Sequence, residues 1–322
     1  MSSEGTEDFT ARDLRLMQGL AQRVSGSRPE LVNNDATFGG LAWVWGKDHA
    51  AVRDTWLRRL WHDGSGELVG WGWITLPHRR EYSDGVTREF GSAYLTWQVI
   101  PDRPDLLDPI LDWYDAEAGA HERTVAVRAA DTDTDALERL AAHGFLPDPR
   151  SAAADGFWVQ VNSRDLVDLE EPVLPEGFRF RTADEVGPGA AVRAHVDAWH
   201  PSNLTESDFE SVRRTFPYRG DLHVLLEAPD GTLVATAIMW LDERNRTAEF
   251  EPVGTHPDHR RRGLGRALLL HGMHRAGQAG ATRMIVSSLG APAHPAARGL
   301  CHGLGFRAFT RDIPHVKGRT DA

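Results

Sequence analysis

Four arginines and two glycines lie within eight residues of one another in a chain of 322 residues whose formal net charge is −11. They belong to residues 259–271, which read HRRRGLGRALLLH. This pattern predicts the start of a helix, whose first turn would offer unpaired backbone N–H groups and the positive end of the helix dipole. Gly263 and Gly265 have no Cβ atoms that would hold a phosphate away from the backbone, and arginines bind phosphate oxygens from the side. The spacing therefore predicts a site for a phosphate-like anion.

Two familiar phosphate-binding patterns do not fit this stretch. A P-loop needs lysine and then serine or threonine after its last glycine, but Arg266 and Ala267 follow Gly265. A dinucleotide fingerprint needs a third glycine where the chain has Leu268. A nucleic-acid binding surface is disfavoured, because four arginines in an acidic chain make too small a basic patch to bind a nucleic acid. A solvated helix cap without a ligand remains the structural alternative.

The elements around the stretch must position it. From residue 178 onward, hydrophobic periodicity, caps and turn residues predict the element order β α α β β β α β α β. Thr205, three residues before Asp208, is predicted to cap one of the two early helices. In this order the arginine-rich stretch joins a strand that reads TAEFEPVGT to the helix that follows it.

Internal sequence repeats indicate that the first half of the chain has a similar order of helices and strands. Three anchors recur in order at offsets of 165, 156 and 161 residues, and the first of them joins GELVGWGWI to GTLVATAIM. The stretch between the copies is polar and acidic and has two prolines, as is typical of a linker. We therefore predict a first domain over residues 1–163, a linker over 164–173 and a second domain over 174–322.

The stretch VGTHPDHRRRGLGRALL resembles the acyl-CoA binding motif of the GNAT superfamily of N-acetyltransferases, written R/Q-x-x-G-x-G/A. Arg260, Gly263 and Gly265 occupy its three defined positions. The later stretch HPAARGLCHGLGF resembles another helix of that family, and the predicted element order is the family's order. The resemblance covers about residues 176–316. It implies an α/β (α+β) fold with two tandem GNAT-type domains, each a mixed central sheet with flanking helices.

In that family the loop amides hold the pyrophosphate of coenzyme A, and the preceding strand pairs with the pantetheine arm. The resemblance therefore implies acetyl-CoA (acyl-CoA) as co-substrate and no metal. The implied binding set comprises Val253, Gly254, Thr255, Arg260, Arg261, Arg262, Gly263, Leu264, Gly265, Arg266, Ala267 and His294.

Two glutamates on the preceding strand are candidates for the base that acyl transfer to an amine requires. Glu249 and Glu251 are two residues apart and so lie on one strand face, where two carboxylates would raise each other's pKa and attract an ammonium group. Glu249 stands 11 residues before Arg260, where many members of the resembled family carry a carboxylate. Glu249 is the predicted base and Glu251 the second candidate. The alternative is that the two glutamates lie on a solvated strand edge and have no catalytic role.

Two residues that are common in the family's later helix are replaced, the first being an asparagine where this chain has His294. Where its members commonly have a tyrosine that protonates the departing thiolate, this chain has Cys301, its only cysteine. A lone cysteine on an apolar helix face is typical of a core residue, and a thiol donor or acyl acceptor is the alternative. With one cysteine there is no internal disulfide and no cysteine-based metal cluster.

The first copy lacks the predicted site. Alignment of Pro101 with Pro257 places Ala93 and Leu95 opposite the two glutamates, and the loop PDRPDLLDPIL contains no glycine. This half also holds nine of the 11 tryptophans, which are predicted to build its core. We expect one acyl-CoA site per chain.

Composition narrows the setting of the protein. The chain is 41% hydrophobic, has no run of roughly 20 apolar residues, and begins with acidic residues where a signal peptide would be basic. We expect a cytoplasmic protein that binds neither membranes nor nucleic acid and whose acidity favours cationic substrates.

The predicted function is that of an acetyl-CoA-dependent N-acetyltransferase acting on a small, cationic amine acceptor by direct attack on the thioester. The alternative is a non-catalytic acyl-CoA-binding sensor or partner-binding module. The sequence leaves the acceptor and the oligomeric state open.

Overall fold

The computed structural model describes residues 2–4, 9–118, 125–152, 156, 158–293 and 295–317. The helices in these ranges are α1 (Ala11–Ser27), α2 (Phe38–Val52), α3 (Leu107–Ala118), α4 (Thr134–Ala142), α5 (Ala183–Val186), α6 (Pro188–Ala198), α7 (Glu206–Arg214), α8 (Leu264–Gln278) and α9 (Pro295–Gly303). None of these described helices is both long enough and apolar enough to cross a membrane.

The strands in the described ranges are β1 (Ser2–Glu4), β2 (Trp56–His62), β3 (Leu68–Thr75), β4 (His78–Glu81), β5 (Thr87–Phe90), β6 (Ala93–Val99), β7 (Val125–Ala130), β8 (Leu146–Pro147), β9 (Val159–Asp165), β10 (Arg179–Thr182), β11 (His223–Glu227), β12 (Leu233–Asp242), β13 (Thr247–Thr255), β14 (Arg283–Leu289) and β15 (Arg307–Lys317). The predicted element order of the second half is confirmed, with the short α5 added. Thr205 caps α7 in a reciprocal arrangement with Asp208, as predicted.

Most of these strands form one mixed sheet that runs through both halves of the chain. Its order is β1-β2-β3-β6-β7-β15-β9-β14-β13-β12-β11-β10, and β8 pairs with β15. Pairing is parallel between β6 and β7 and between β13 and β14, as two similar α/β units require. The mixed sheet with flanking helices confirms the predicted fold class. The hairpin of β4 and β5 stands apart and was not predicted.

The two halves exchange strands at the centre of the sheet. β9 begins in the first half and ends at Asp165, inside the predicted linker, yet it lies between β14 and β15 of the second half. β15 in turn continues past β9 to pair with β7 of the first half. The linker prediction is therefore wrong at residues 164 and 165, which pair with β14; from residue 166 on, there is no helix or strand until β10 begins. The sheet is therefore continuous across the predicted boundary.

A bulge opens the sheet next to the arginine-rich stretch. Parallel pairing between β13 and β14 ends where Phe250 lies opposite Val286. The partner of Val253 is Ala237 and the partner of Phe250 is Met239, so Glu251 and Pro252 together face a single residue of β12. Such a bulge bends the strand. Beyond the bulge, β13 stays paired with β12 and β14 stays paired with β9. A wedge-shaped gap therefore opens between β13 and β14.

Hydrophobic packing places helices on both faces of this sheet. α8 covers one face of the second half, where Phe250, Leu268 and Met284 belong to one buried cluster. On the other face, α2 of the first half packs with α6 and α7 around the fully buried Trp240. The predicted core role of the first-half tryptophans is confirmed at eight of the nine, which are at most 7% exposed. Helices of the first half therefore cover part of the second half's sheet.

Candidate functional site

The arginine-rich loop ends in the predicted helix start. Gly263 is the N-cap of α8 with φ of 78°, a left-handed conformation that favours glycine. Arg261 is also left-handed, with φ of 64°. The first turn of α8 directs its free N–H groups toward the loop, where an anion would bind. A Cβ atom at Gly263 would meet nothing within 4 Å, and one at Gly265 would make ordinary contacts with Leu300 at 3.4 Å and Thr255 at 3.5 Å.

The four arginines divide into two pairs. The Arg260 guanidinium donates to the carbonyl oxygens of Thr255 at 3.0 Å and of Ala198 at 3.3 Å. Arg266 donates to the carbonyl oxygen of Gly303 and forms an ion pair with Glu170 at 2.7 Å. Both side chains thus hold the loop and helix in place.

The second pair faces solvent. Arg261 and Arg262 are exposed and, among the residues the structure describes, have no hydrogen-bond or ion-pair partner. Leu264 and Ala267 are buried and anchor the first turn of α8 through their side chains. His294, also predicted to bind the co-substrate, lies outside the described residues.

The wedge between β13 and β14, which we call the splay cleft, forms a cavity of about 210 Å³. Glu249 and Glu251 line it from β13, and Ser287 and Ser288 line it from β14. Along one side of the cleft, the edge of β13 from Val253 to Thr255 has no partner among the described strands beyond the bulge. Free backbone groups at such an edge can bind an extended, amide-bearing chain.

Glu249 is held by the first half of the chain. The Thr37 hydroxyl donates to Oε1 at 2.6 Å, and the Gly39 N–H donates to Oε2 at 2.9 Å. Burial raises the pKa of Glu249 to about 7, although the hydrogen bonds from Thr37 and Gly39 and the nearby Gly40 N–H oppose the rise. A carboxylate with a pKa near the working pH is well suited to accept and release protons.

Glu251 lies two residues further along β13 and is half-buried. Burial raises its pKa to about 8, the carboxylates of Glu249 and Asp35 contribute to the rise, and Lys47 opposes it. Repulsion from Glu249 thus contributes to the raised pKa of Glu251. Its carboxylate has no hydrogen-bond partner among the described residues.

A second cavity of about 310 Å³, the interdomain cavity, adjoins the splay cleft. Glu249 and Thr37 line its inner end, and its walls include Phe38 from the first half. Its outer end lies at Thr247 and Arg283, which also line an open surface depression. Thr247 and Glu249 are separated by two residues of strand, or about 7 Å. Glu249 is therefore within reach of both cavities.

Two other predicted candidates are core residues. Cys301 is 3% exposed and packs in the cluster under α8, which confirms the predicted core role. Burial raises the pKa of its thiol to about 11, so the thiolate is scarce at neutral pH. Within the described ranges, no group of three His, Cys, Asp or Glu side chains is arranged to hold a metal ion.

The corresponding opening in the first half is filled. Pairing of β6 with β7 ends at Leu95 and Val127, and Trp97 then donates its indole N–H to the carbonyl oxygen of Arg128 at 2.9 Å. The Asn33 amide donates to the carbonyl oxygen of Trp97 at 3.1 Å. The Trp97 and Asn33 side chains thus bridge the place that the splay cleft has in the second half.

Thr37 and Gly39 were not among the predicted site residues. They lie 212 and 210 residues before Glu249 and reach it only through the packing of α2 on the second half. The sequence TFGG has the signal of a helix cap, and nothing in it indicates a glutamate as partner.

The fold and the site define a class of protein. Over nearly its full length the chain is similar to a tandem GNAT protein from the clavulanic acid biosynthesis pathway, with a TM-score of 0.62, 15% identity and coverage of 99% of this chain and 100% of the other. A GCN5-related N-acetyltransferase from Sphaerobacter thermophilus has the same TM-score, with 18% identity and coverage of 98% and 95%. The chain has the tandem GNAT fold.

Sequence comparison concerns mainly the second half. Residues 190–306, less than half of the chain, match the Acetyltransferase (GNAT) family. The chain is also similar to a mycothiol acetyltransferase of Kineococcus radiotolerans, with 29% identity over 56% of this chain and 62% of the relative. A mycothiol acetyltransferase of Streptomyces coelicolor is 31% identical over 46% of this chain and 48% of the relative. The matched part therefore spans less than two thirds of these relatives.

Proposed function

We propose that this protein is an acetyl-CoA-dependent N-acetyltransferase that acts on a small, cationic amine. The observation that carries the proposal is the position of Glu249. Glu249 lines both the splay cleft and the interdomain cavity, and burial raises its pKa to about 7. Two substrates that entered from the two cavities would meet at this group.

In this proposal the co-substrate occupies the second half. The free N–H groups at the start of α8 and the unpartnered Arg261 and Arg262 bind its pyrophosphate. The pantetheine arm extends along the edge of β13 from Val253 to Thr255, in the manner of an added strand. The thioester then lies in the splay cleft, next to the two glutamates. The GNAT domain match over residues 190–306 supports this arrangement.

The acceptor occupies the interdomain cavity with its amine at the inner end. Glu249 accepts a proton from the ammonium group, and the free amine attacks the thioester carbonyl carbon. A carbon–nitrogen bond forms, the carbon–sulfur bond breaks, and the amide product loses its extra proton to solvent. The departing thiolate takes a proton from water, since the buried Cys301 thiol is not suited to this task. Ionised Glu251 adds attraction for the ammonium group.

The similarity to mycothiol acetyltransferases supports transfer of an acetyl group to a small-molecule acceptor. The interdomain cavity has a volume of about 310 Å³, and Glu249 lies at its inner end. A cavity of this size with one carboxylate is suited to a small amine. The acidity of the chain, with a formal net charge of −11, favours a cationic acceptor.

The test is a panel of amine acceptors with acetyl-CoA, read by release of free thiol. We expect turnover with at least one small amine and a loss of about 100-fold in Glu249→Gln at neutral pH, the usual share of a general base. Glu176→Gln, an exposed glutamate before β10, is the matched control and should keep full activity.

Two results would contradict the proposal. Full activity of Glu249→Gln at pH 7 would exclude this base. Tight binding of acetyl-CoA without thiol release for any amine would favour the alternative of a non-catalytic acyl-CoA sensor, for which the replacement of the family's tyrosine by Cys301 is the supporting feature.

A further inference from the structure

We propose that the first half of the chain completes the active site: Thr37 and the N-terminal turn of α2 orient the Glu249 carboxylate and favour its ionised form. Thr37 is a positioning residue, because it acts on substrate only through Glu249. The inference rests on the proposed role of Glu249 as the base. It assigns a purpose to a half that has lost its own co-substrate site.

The contact between the halves is specific in geometry. Each carboxylate oxygen of Glu249 accepts one hydrogen bond, from the Thr37 hydroxyl at 2.6 Å and from the Gly39 N–H at 2.9 Å. The Thr37 hydroxyl oxygen also accepts from the Gly40 N–H at 2.9 Å and so caps α2. The hydroxyl proton is therefore committed to Glu249, since its oxygen is engaged with the helix.

The approach of α2 to β13 depends on glycine. A Cβ atom at Gly39 would lie 2.6 Å from Glu249 Oε2 and 2.6 Å from Trp240 Cβ, closer than such atoms approach in real structures. Gly46 of the same helix packs against the backbone of Val212 in α7, where a Cβ atom would lie 2.7 Å from the Val212 Cα. Small residues on α2 thus allow its N-terminus to reach the carboxylate.

The buried Gln18 side chain of α1 holds the start of α2 in this place. It donates to the carbonyl oxygens of Phe38 at 3.3 Å and of Phe216 at 3.1 Å, and so ties the start of α2 to the segment after α7. The helix N-terminus is therefore fixed by contacts on both sides of the domain boundary.

These contacts favour the carboxylate over the carboxylic acid. Hydrogen bonds from N–H and O–H groups stabilise the charged form, and the positive end of the α2 dipole acts in the same direction. Burial acts in the opposite direction and raises the pKa of Glu249 to about 7. Without Thr37 and the α2 amides, burial would leave the group protonated at neutral pH and unable to accept a proton.

Other charged groups face the same space from the surrounding elements. They are Glu251 on β13, Asp35 before α2, Lys47 on α2, Glu30 after α1, Asp242 on β12 and Arg283 on β14. Asp242 is fully engaged with Gln22 and Asn245, and Arg283 pairs with Asp165 at 3.1 Å. Of these groups, none donates a hydrogen bond to Glu249, whereas Thr37 and Gly39 do.

The test replaces the hydroxyl of Thr37 and measures turnover against pH. In Thr37→Val we expect the acidic limb of the pH profile to move to higher pH by about one unit. Turnover should fall by about fivefold to tenfold at pH 7, and this loss should be smaller at pH 9. KM for acetyl-CoA should not change. Thr37→Ser keeps the hydroxyl and should restore the wild-type limb.

Thr10→Val is the control for loss of a helix cap alone. Thr10 caps α1, its hydroxyl donates to Asp13 at 2.8 Å, and neither residue lines the splay cleft or the interdomain cavity. This variant should lose stability without any shift of the acidic limb. An unshifted limb in Thr37→Val, or an equal shift in Thr37→Ser or Thr10→Val, would overturn the proposal.

A second readout does not need turnover. The carboxyl carbon of Glu249, labelled with ¹³C and identified by its loss in Glu249→Gln, should titrate at higher pH in Thr37→Val than in the unmodified protein. An identical titration in both proteins would overturn the positioning role. Inactivity of the unmodified protein toward all amines would instead contradict the proposed function, and the titration would still decide the role of Thr37.

Discussion

Replacement of Glu249 by glutamine should make the protein more stable at alkaline pH, although the same change should lower turnover. In the folded protein the pKa of Glu249 is about 7, because the carboxylate is buried, whereas its ordinary value is 4.5. Between these two pH values the unfolded chain carries the charge and the folded protein holds the proton. Stability is therefore lost as pH rises from about 4.5 to about 7, and the full cost applies above pH 7.

The size of the effect follows from this difference in pKa. At about 1.4 kcal/mol per pH unit, the interval from 4.5 to about 7 corresponds to about 3 kcal/mol. Glutamine is neutral at every pH and avoids this cost. Its carbonyl oxygen can accept from the Gly39 N–H while its amide donates to the Thr37 hydroxyl oxygen, so both contacts can be kept. For a chain of 322 residues, 3 kcal/mol corresponds to about 4 °C in Tm.

Thermal and urea unfolding of the two proteins without ligand, between pH 5 and pH 8.5, measures this difference. The advantage of Glu249→Gln should grow from about 1 kcal/mol at pH 5 to about 3 kcal/mol at pH 8.5. Glu176→Gln, at an exposed position, should show no such growth. A difference that stays constant with pH, or a less stable variant at pH 8.5, would refute the assignment of a buried, protonatable Glu249.

Three further predictions concern the co-substrate and the groups around the thioester. Calorimetric titration with acetyl-CoA should find one site per chain. Gly265→Glu should remove this site, whereas Gly277→Glu, at an exposed position of the same helix, should preserve it. Two equal sites would contradict the predicted loss of the first-half site. Cys301→Ala should keep turnover within a few-fold, and a loss beyond about 100-fold would show that the thiol acts as general acid. Glu251→Gln should raise the acceptor KM more at pH 9 than at pH 7, because a pKa of about 8 leaves Glu251 largely neutral at pH 7. Equal effects at both pH values would contradict an electrostatic role.

The start of α8 and the order of the elements could be predicted from the sequence because their signals are local. The paired Gly263 and Gly265 after a strand and before an apolar helical repeat define the start of α8 within a dozen residues. The same holds for the two glutamates, whose spacing of two places them on one face of β13 whatever the rest of the chain does. The β4–β5 hairpin has a local signal too, the Asp84-Gly85 turn that joins its strands.

Only the tertiary structure decided what surrounds these residues. Glu249 meets Thr37 across 212 residues of sequence, β9 crosses into the sheet of the second half, and Trp97 closes the opening between β6 and β7. The physical reason is that periodicity and capping reflect interactions over one or two turns of chain, whereas burial and hydrogen bonding between distant segments depend on how whole elements pack. The sequence by itself determined that Glu249 and Glu251 lie on the strand that precedes the arginine-rich loop. The packing of α2 against β13 determined that this carboxylate has hydrogen-bond donors and a pKa near 7.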